Sequence, residues 1–146
     1  MTTAMRPGKY SWMKIAHIMT EAPLALNPSA TVGDAHELMF AHNIRQIPIV
    51  NGKKLVGIVT DRDIRSFVGD DLDPERREKA LSTPVRDVMT SEPITLSPDA
   101  GLQKALELFI DSKVGGIPVI DKSAGLLGIV TYIDLLRCFL NRIEED

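Results

Sequence analysis

The chain has 146 residues, 44% of them hydrophobic and 25% charged, with a formal net charge of -3. That length holds one domain, or two small units that share a core. A negative balance argues against a general nucleic-acid partner, whose footprint is a basic excess, and no apolar run approaches the roughly 18 residues of a membrane span.

Residues 1–14, opening with MTTAMRPGKYSW, lack the apolar middle of a secretory signal and read as a loose arm. The first structured unit is expected over 15–68. Its PLAL (23–26) is a short extended piece after a proline. A helix follows, because Thr31 with Asp34 three residues on resembles a capping box. Val32, Ala35, Leu38 and Met39 then recur at helical spacing. QIPIV and LVGIV flank Asn51-Gly52, a hairpin signal. A second helix is predicted from about Thr60. Residues 69–84, GDDLDPERREKALSTP, are charged and form a linker, with Asp73-Pro74-Glu75 as a helix start.

The second unit, 85–146, repeats the first. Met19-Thr20 meets Met89-Thr90, Pro23 meets Pro93, Pro28 meets Pro98, and Ile47-Pro48 meets Ile117-Pro118. PITL (93–96) is its extended piece. Gly101 is a weaker cap, followed by Leu102, Ala105, Leu106 and Phe109 at helical spacing. GIPVI and LLGIV flank the longer turn DKSAG, and a closing helix starts near Thr131. The order strand, helix, strand, strand, helix thus occurs twice, an α/β chain of α+β character. About fifty residues make a poor core alone, so the copies are expected to pack face to face about a pseudo-twofold axis.

GIVTDRD (57–63) and GIVTYID (128–134) are the most informative pair. Thr-x-x-Asp at a strand-to-helix junction can be a capping device and nothing more. The same geometry also suits a nucleotide. A helix N-terminus attracts anions, a Thr hydroxyl can donate to phosphate, and an ionised Asp can accept from ribose hydroxyls. An apolar cleft between two copies suits a flat base.

The ordered set MT-x-x-P, I-P-[IV]-[VI] and G-I-V-T-x-x-D, present twice, resembles the cystathionine-β-synthase (CBS) domain. The pair is similar to a Bateman module, and to the stand-alone CBS proteins of the acetoin-utilisation type. That resemblance implies two β-α-β-β-α CBS repeats forming a regulatory, non-enzymatic module that binds AMP, ADP, ATP or S-adenosylmethionine, with no cofactor required. It implies that Thr60 with Asp63, and Thr131 with Asp134, contact phosphate and ribose. Arg45 and Gly115 would face phosphates, and the backbone at Ile47 and Ile117 would flank the base with Leu24-Ala25 and Ile94-Thr95. Each pocket would draw on both copies. Gly115, Gly116, Ile117, Ile94 and Thr95 would complete the Asp63 pocket, and Gln46, Ile47, Leu24 and Ala25 the Asp134 pocket. Because Arg suits bidentate phosphate contact and Gly suits close backbone approach, two unequal sites are expected. The Asp63 pocket, with Arg45, would take the more phosphorylated or the tighter ligand.

Other signals carry less. Asp61 and Asp63 lie two apart and do not face each other on a helix, and His17, His36 and His42 lack zinc spacing, so no metal is expected. No Ser-His-Asp set or P-loop appears, so no catalytic residue is assigned. Met13, Met19, Met39 and Met89 read as packing residues, and Cys138 as a small buried side chain in a reducing cytoplasm. The apolar faces left over from each short repeat imply a homodimer of CBS pairs, with an unidentified regulated protein as reader and no membrane or nucleic acid. The rival is a scaffold of the same fold with degenerate pockets.

Overall fold

The structure is a computed structural model that describes residues 10, 12–70 and 73–145. Most of the expected arm, and residues 71 and 72 of the linker, lie outside that range. The first copy contains α1 (Val32–His42), the hairpin β2 (Gln46–Asn51) and β3 (Lys54–Thr60), and α2 (Asp61–Val68). The second contains α4 (Leu102–Ser112), β5 (Gly116–Ile120) with β6 (Leu126–Thr131), and α5 (Tyr132–Glu145). The charged joint holds α3 (Pro74–Leu81), whose cap Asp73 accepts from the Glu75 N–H at 3.1 Å.

Local chemistry sets the ends of these elements. Thr31 Oγ1 accepts from the Asp34 N–H at 3.0 Å, and Asp34 Oδ2 from the Thr31 N–H at 2.9 Å. α4 starts at Gly101 with no side-chain cap. Both helices stop at a left-handed residue, Asn43 (φ 52°) and Lys113 (φ 54°). A left-handed lysine costs roughly 1–2 kcal/mol, so the tertiary packing imposes on copy two a stop that Asn grants copy one more cheaply. Both hairpins carry a bulge at the same place, Ile49/Val50 and Val119/Ile120.

The opening strands differ from expectation. PLAL and PITL each reduce to one parallel bridge, Leu26 to Ile49 and Leu96 to Val119. Prolines stand close on both sides of these segments and cannot donate to a ladder. The strands that do form precede them: β1 (Thr20–Glu21) and β4 (Thr90–Ser91). Each joins the other copy's sheet, giving the orders β1-β6-β5 and β2-β3-β4.

The exchange extends into the cores. Met13 and Ile15 are buried with Leu102, Ala105, Ile117, Val119, Val130 and Leu135 of copy two. Val85 is buried with Val32, Ala35, Ile47, Val59 and Ile64 of copy one. Backbone bonds hold both segments: Ile15 N–H to Ala100 O at 2.8 Å, and Val85 N–H to Ala30 O at 2.7 Å. The hairpin tips are joined as well, by Leu55 N–H to Ala124 O and Leu126 N–H to Lys53 O, both 2.9 Å.

The glycine of G-I-V-T has its reason in this exchange. A Cβ on Gly128 would lie 2.7 Å from Met19 Sδ and 2.8 Å from Thr20 O. One on Gly57 would collide with Met89 Sδ and lie 2.9 Å from Thr90 O. The Met-Thr word of each copy therefore packs on the Gly of the other. Met13 and Met39 are buried, and Met19 and Met89 pack against the two cores, as expected of them.

Candidate functional site

β3 delivers Thr60 to the start of α2, and β6 delivers Thr131 to the start of α5. Both junctions are complete capping boxes. Thr60 Oγ1 accepts from the Asp63 N–H at 3.1 Å, and Asp63 Oδ2 from the Thr60 N–H at 2.9 Å. The Thr131 and Asp134 distances are 3.2 and 2.8 Å. In addition the Tyr132 N–H donates to Gly115 O at 3.4 Å, and the Asp61 N–H to Arg45 O at 3.0 Å. Three of the four amides that open each helix are thus engaged within the protein, which leaves those of Ile133 and Arg62. The anion site of each helix start is one amide, not the open ring the sequence suggested.

The box leaves other chemistry free. Each Thr oxygen accepts from an amide, so its O–H still has a proton to give. Each Asp uses only Oδ2, so Oδ1 keeps its acceptor capacity. Capping and ligand binding use different parts of the same two side chains. The box also fixes their rotamers before any ligand arrives.

A cavity of about 690 Å³ lies between the copies at Asp134. Its walls bring together Thr131 and Asp134 of copy two with Leu24, Arg45 and Gln46 of copy one. The volume falls within the range of small-molecule sites. The half-exposed Leu24 supplies an apolar edge. Ala25, half-buried, is not part of the wall. Ile47 and Ile117 are fully buried in the two cores, so at these positions only backbone can meet a ligand.

Arg45 stands with Asp134, not with Asp63 as the unequal-site expectation had it. It ends the turn between α1 and β2, on the side of the sheet that faces copy two. Gly115 and Gly116 do permit a close approach, but the neighbour is Gln46. Cβ atoms there would lie 2.6 Å from Gln46 Nε2 and 3.2 Å from its Cγ. Around Asp63, the mate position to Leu24 is Ile94, likewise half-exposed, and Thr95 beside it is half-buried.

The cavity also has wall residues not anticipated from sequence, chiefly Thr20, His42, Tyr132 and Arg137. Arg137 was legible, being three residues after Asp134 and so on one helix face with it. Thr20 and His42 were not, since the strand exchange and the α1 end bring them there. A second cavity of about 410 Å³ adjoins, sharing Thr20, Asp134 and Arg137, with Trp12 and Arg142 on its far wall. Cys138 is half-buried beneath it, its Sγ 3.5 Å from Met13 Sδ. Among the described residues no three of His, Cys, Asp and Glu converge as metal ligands, and no helix is long and apolar enough to cross a membrane.

Residues 15–70 and 85–141 each match the family model of the CBS domain. The chain is similar to a crystal structure of an acetoin utilization protein (AcuB) from Vibrio cholerae, with a TM-score of 0.78, 34% identity, and 90% of this chain and 93% of that one covered. CBSX2, a CBS-pair protein from Arabidopsis thaliana, solved in complex with AMP, gives 0.77 and 27%, covering 88% and 96%. The CBS domain pair of protein MJ0100, solved with 5′-methylthioadenosine and S-adenosyl-L-methionine, gives 0.77 and 25%, covering 89% and 98%. Among curated relatives, an uncharacterized protein of Methanocaldococcus jannaschii, MJ1225, is 33% identical over 144 residues, 92% of this chain. The chain spans 51% of that relative's length, and 24% of an inosine-5′-monophosphate dehydrogenase from Korarchaeum cryptofilum.

Proposed function

The chain belongs to the CBS-domain family, and from that premise we propose that it is a regulatory, non-enzymatic sensor of adenosine-containing ligands bound in the clefts between its two repeats. One observation carries the reading: the cavity at Asp134 joins Thr131 and Asp134 of one copy to Leu24, Arg45 and Gln46 of the other. A ligand there touches both copies, so it favours whichever arrangement of them fits it best. The Asp134 Oδ1 accepts from the ribose, the Thr131 O–H and the Ile133 N–H donate to phosphate, and Leu24 lies against the base. By the pseudo-symmetry Asp63 meets the ribose and Ile94 the base in the mate pocket, where the Thr60 O–H donates to the ligand's 5′ group, with Thr95 and the backbone of Gly115, Gly116 and Ile117 beside it. Complexes of CBSX2 with AMP, and of the MJ0100 pair with adenosyl ligands, support the ligand class.

The sensor works as a homodimer of CBS pairs in the cytoplasm, read by a regulated protein. Phe40 and Ile110, at matching places on α1 and α4, are 87% and 72% exposed, and offer an apolar face to a second copy. A lone cysteine agrees with a reducing compartment.

The completed capping boxes also suit a scaffold whose pockets hold nothing. Thermal denaturation separates the two readings. A ligand at a hundred times its Kd adds about 2.7 kcal/mol to the stability of the native state. For a chain of this size that raises Tm by roughly 5–10 °C. We expect AMP, ADP, ATP or S-adenosylmethionine to do so, and Asp134→Asn, which keeps an acceptor for the cap, to reduce the shift given by the nucleotides. No rise with any of the four would establish the scaffold.

A further inference from the structure

We infer that the two pockets divide their ligands by charge: the Asp134 pocket takes adenosine compounds that carry phosphates, and the Asp63 pocket takes adenosine compounds that carry none. The inference rests on the adenosine-binding reading above and adds a ligand class for each site.

The Asp134 cavity is lined by two arginines, Arg45 and Arg137, both exposed. Neither makes an ion pair among the described residues. Against them stands one carboxylate, Asp134. The cavity therefore has an excess of positive charge in the form best shaped for phosphate oxygens.

The pseudo-twofold gives each wall position a counterpart, and the backbone shows that the counterparts are real. Ala22 and Glu92 share the same unusual conformation (φ 45° and 51°), as do Asn43 and Lys113. The Asp61 and Tyr132 amides bond to Arg45 O and Gly115 O in the same way. Carried across, both guanidiniums vanish: Arg45 corresponds to Gly115 and Arg137 to Ser66. Where the first cavity has Ala22 and Tyr132, its mate has Glu92 and Asp61. Asn43 and Ile133 correspond to Lys113 and Arg62. Asp61 is paired with Arg65 at 3.6 Å, so Asp63 and Glu92 are set against Arg62 and Lys113. That set is balanced, and one of its two carboxylates, Glu92, lies two residues before Ile94. Phosphate gains nothing net there, whereas an uncharged or sulfonium-bearing adenosine loses nothing.

The test is calorimetric titration with ADP and with 5′-methylthioadenosine, each on free protein and on protein saturated with the other. Both should bind, and neither should displace the other. Asp134→Asn should weaken ADP, and Asp63→Asn should weaken 5′-methylthioadenosine. The double variant Arg45→Gln/Arg137→Gln should lower the affinity for ADP by about a hundredfold relative to that for 5′-methylthioadenosine, about tenfold per guanidinium. Mutual displacement, equal losses for both ligands in the double variant, or ADP binding that depends on Asp63 would overturn the division while leaving adenosine binding intact. If neither compound binds the unaltered protein, the division falls together with the reading it rests on.

Discussion

Two glycines show how a single residue carries the fold. Gly57 and Gly128 have ordinary backbone angles, so conformational freedom is not their use. Their use is space. Each faces a backbone carbonyl of the other copy, Thr90 O or Thr20 O, which cannot swing aside as a side chain can. Gly128→Ala and Gly57→Ala should each cost about 1–3 kcal/mol by overpacking. That outweighs the ~0.4–1 kcal/mol that alanine gains by restricting the unfolded chain. Urea denaturation should show the loss as a lower midpoint at unchanged slope. A stabilised Gly128→Ala protein would mean that the strand exchange is not tight. The threonines and aspartates beside these glycines lie at the same scale, and there cap and ligand contact need not compete.

At the level of elements, the repeat that sequence alignment defines is not the unit that packs. The segment before each β1-type strand crosses to the opposite core, so Ile15 sits among α4, β5, β6 and α5. Ile15→Ala removes a fully buried side chain and should cost about 2–5 kcal/mol. Hydrogen exchange should then report faster local opening in β5, β6 and α4 than in β2, β3 and α1, although residue 15 precedes the latter in the chain. Greater loss of protection in copy one would contradict the exchanged core. The closing helices also diverge. α5 exposes Leu136, Leu140 and Ile143, spaced four and three apart and so on one face. The corresponding positions in copy one include Arg65 in α2 and Gly69, the residue just past its end. Among the described residues, the apolar stripe of α5 therefore has no full counterpart on α2.

That face belongs to the whole molecule. Leu136 and Leu140, 59% and 55% exposed, lie on the same chain as the outward Phe40 and Ile110. Under the proposed homodimer, Phe40→Asp/Ile110→Asp should shift the species seen by analytical ultracentrifugation from dimer to monomer, and Leu136→Asp/Leu140→Asp should do so only if the α5 face joins that interface. Each double variant alters exposed positions only, so each subunit's own melting should change little. A dimer that persists in the Phe40→Asp/Ile110→Asp variant would place the interface elsewhere. One duplication followed by unequal divergence accounts for the differences between the copies: the residues matched to the cavity wall at Asp134 differ in charge, and the closing helices in polarity.

Much of this was readable from sequence alone. Period-two and period-3.6 patterns, the Asn51-Gly52 turn and the Thr-x-x-Asp boxes are local signals, and each element they named is present. The repeat itself fixed the pseudo-symmetry, since equal words in equal order must fold alike. That the glycine of G-I-V-T permits close packing was readable, but its partner in the other copy, the cross-copy pairing of β1 and β4 and the home of Arg45 were not, because each depends on which copy a segment touches. Sequence separation carries no information about an exchange between two nearly identical partners: β1 could pair with β3 or with β6 by local preference alone. Only the packed structure decides, because Met19-Thr20 lies against Gly128 on the edge of β6 and Met89-Thr90 against Gly57 on the edge of β3, where a Cβ would leave no room.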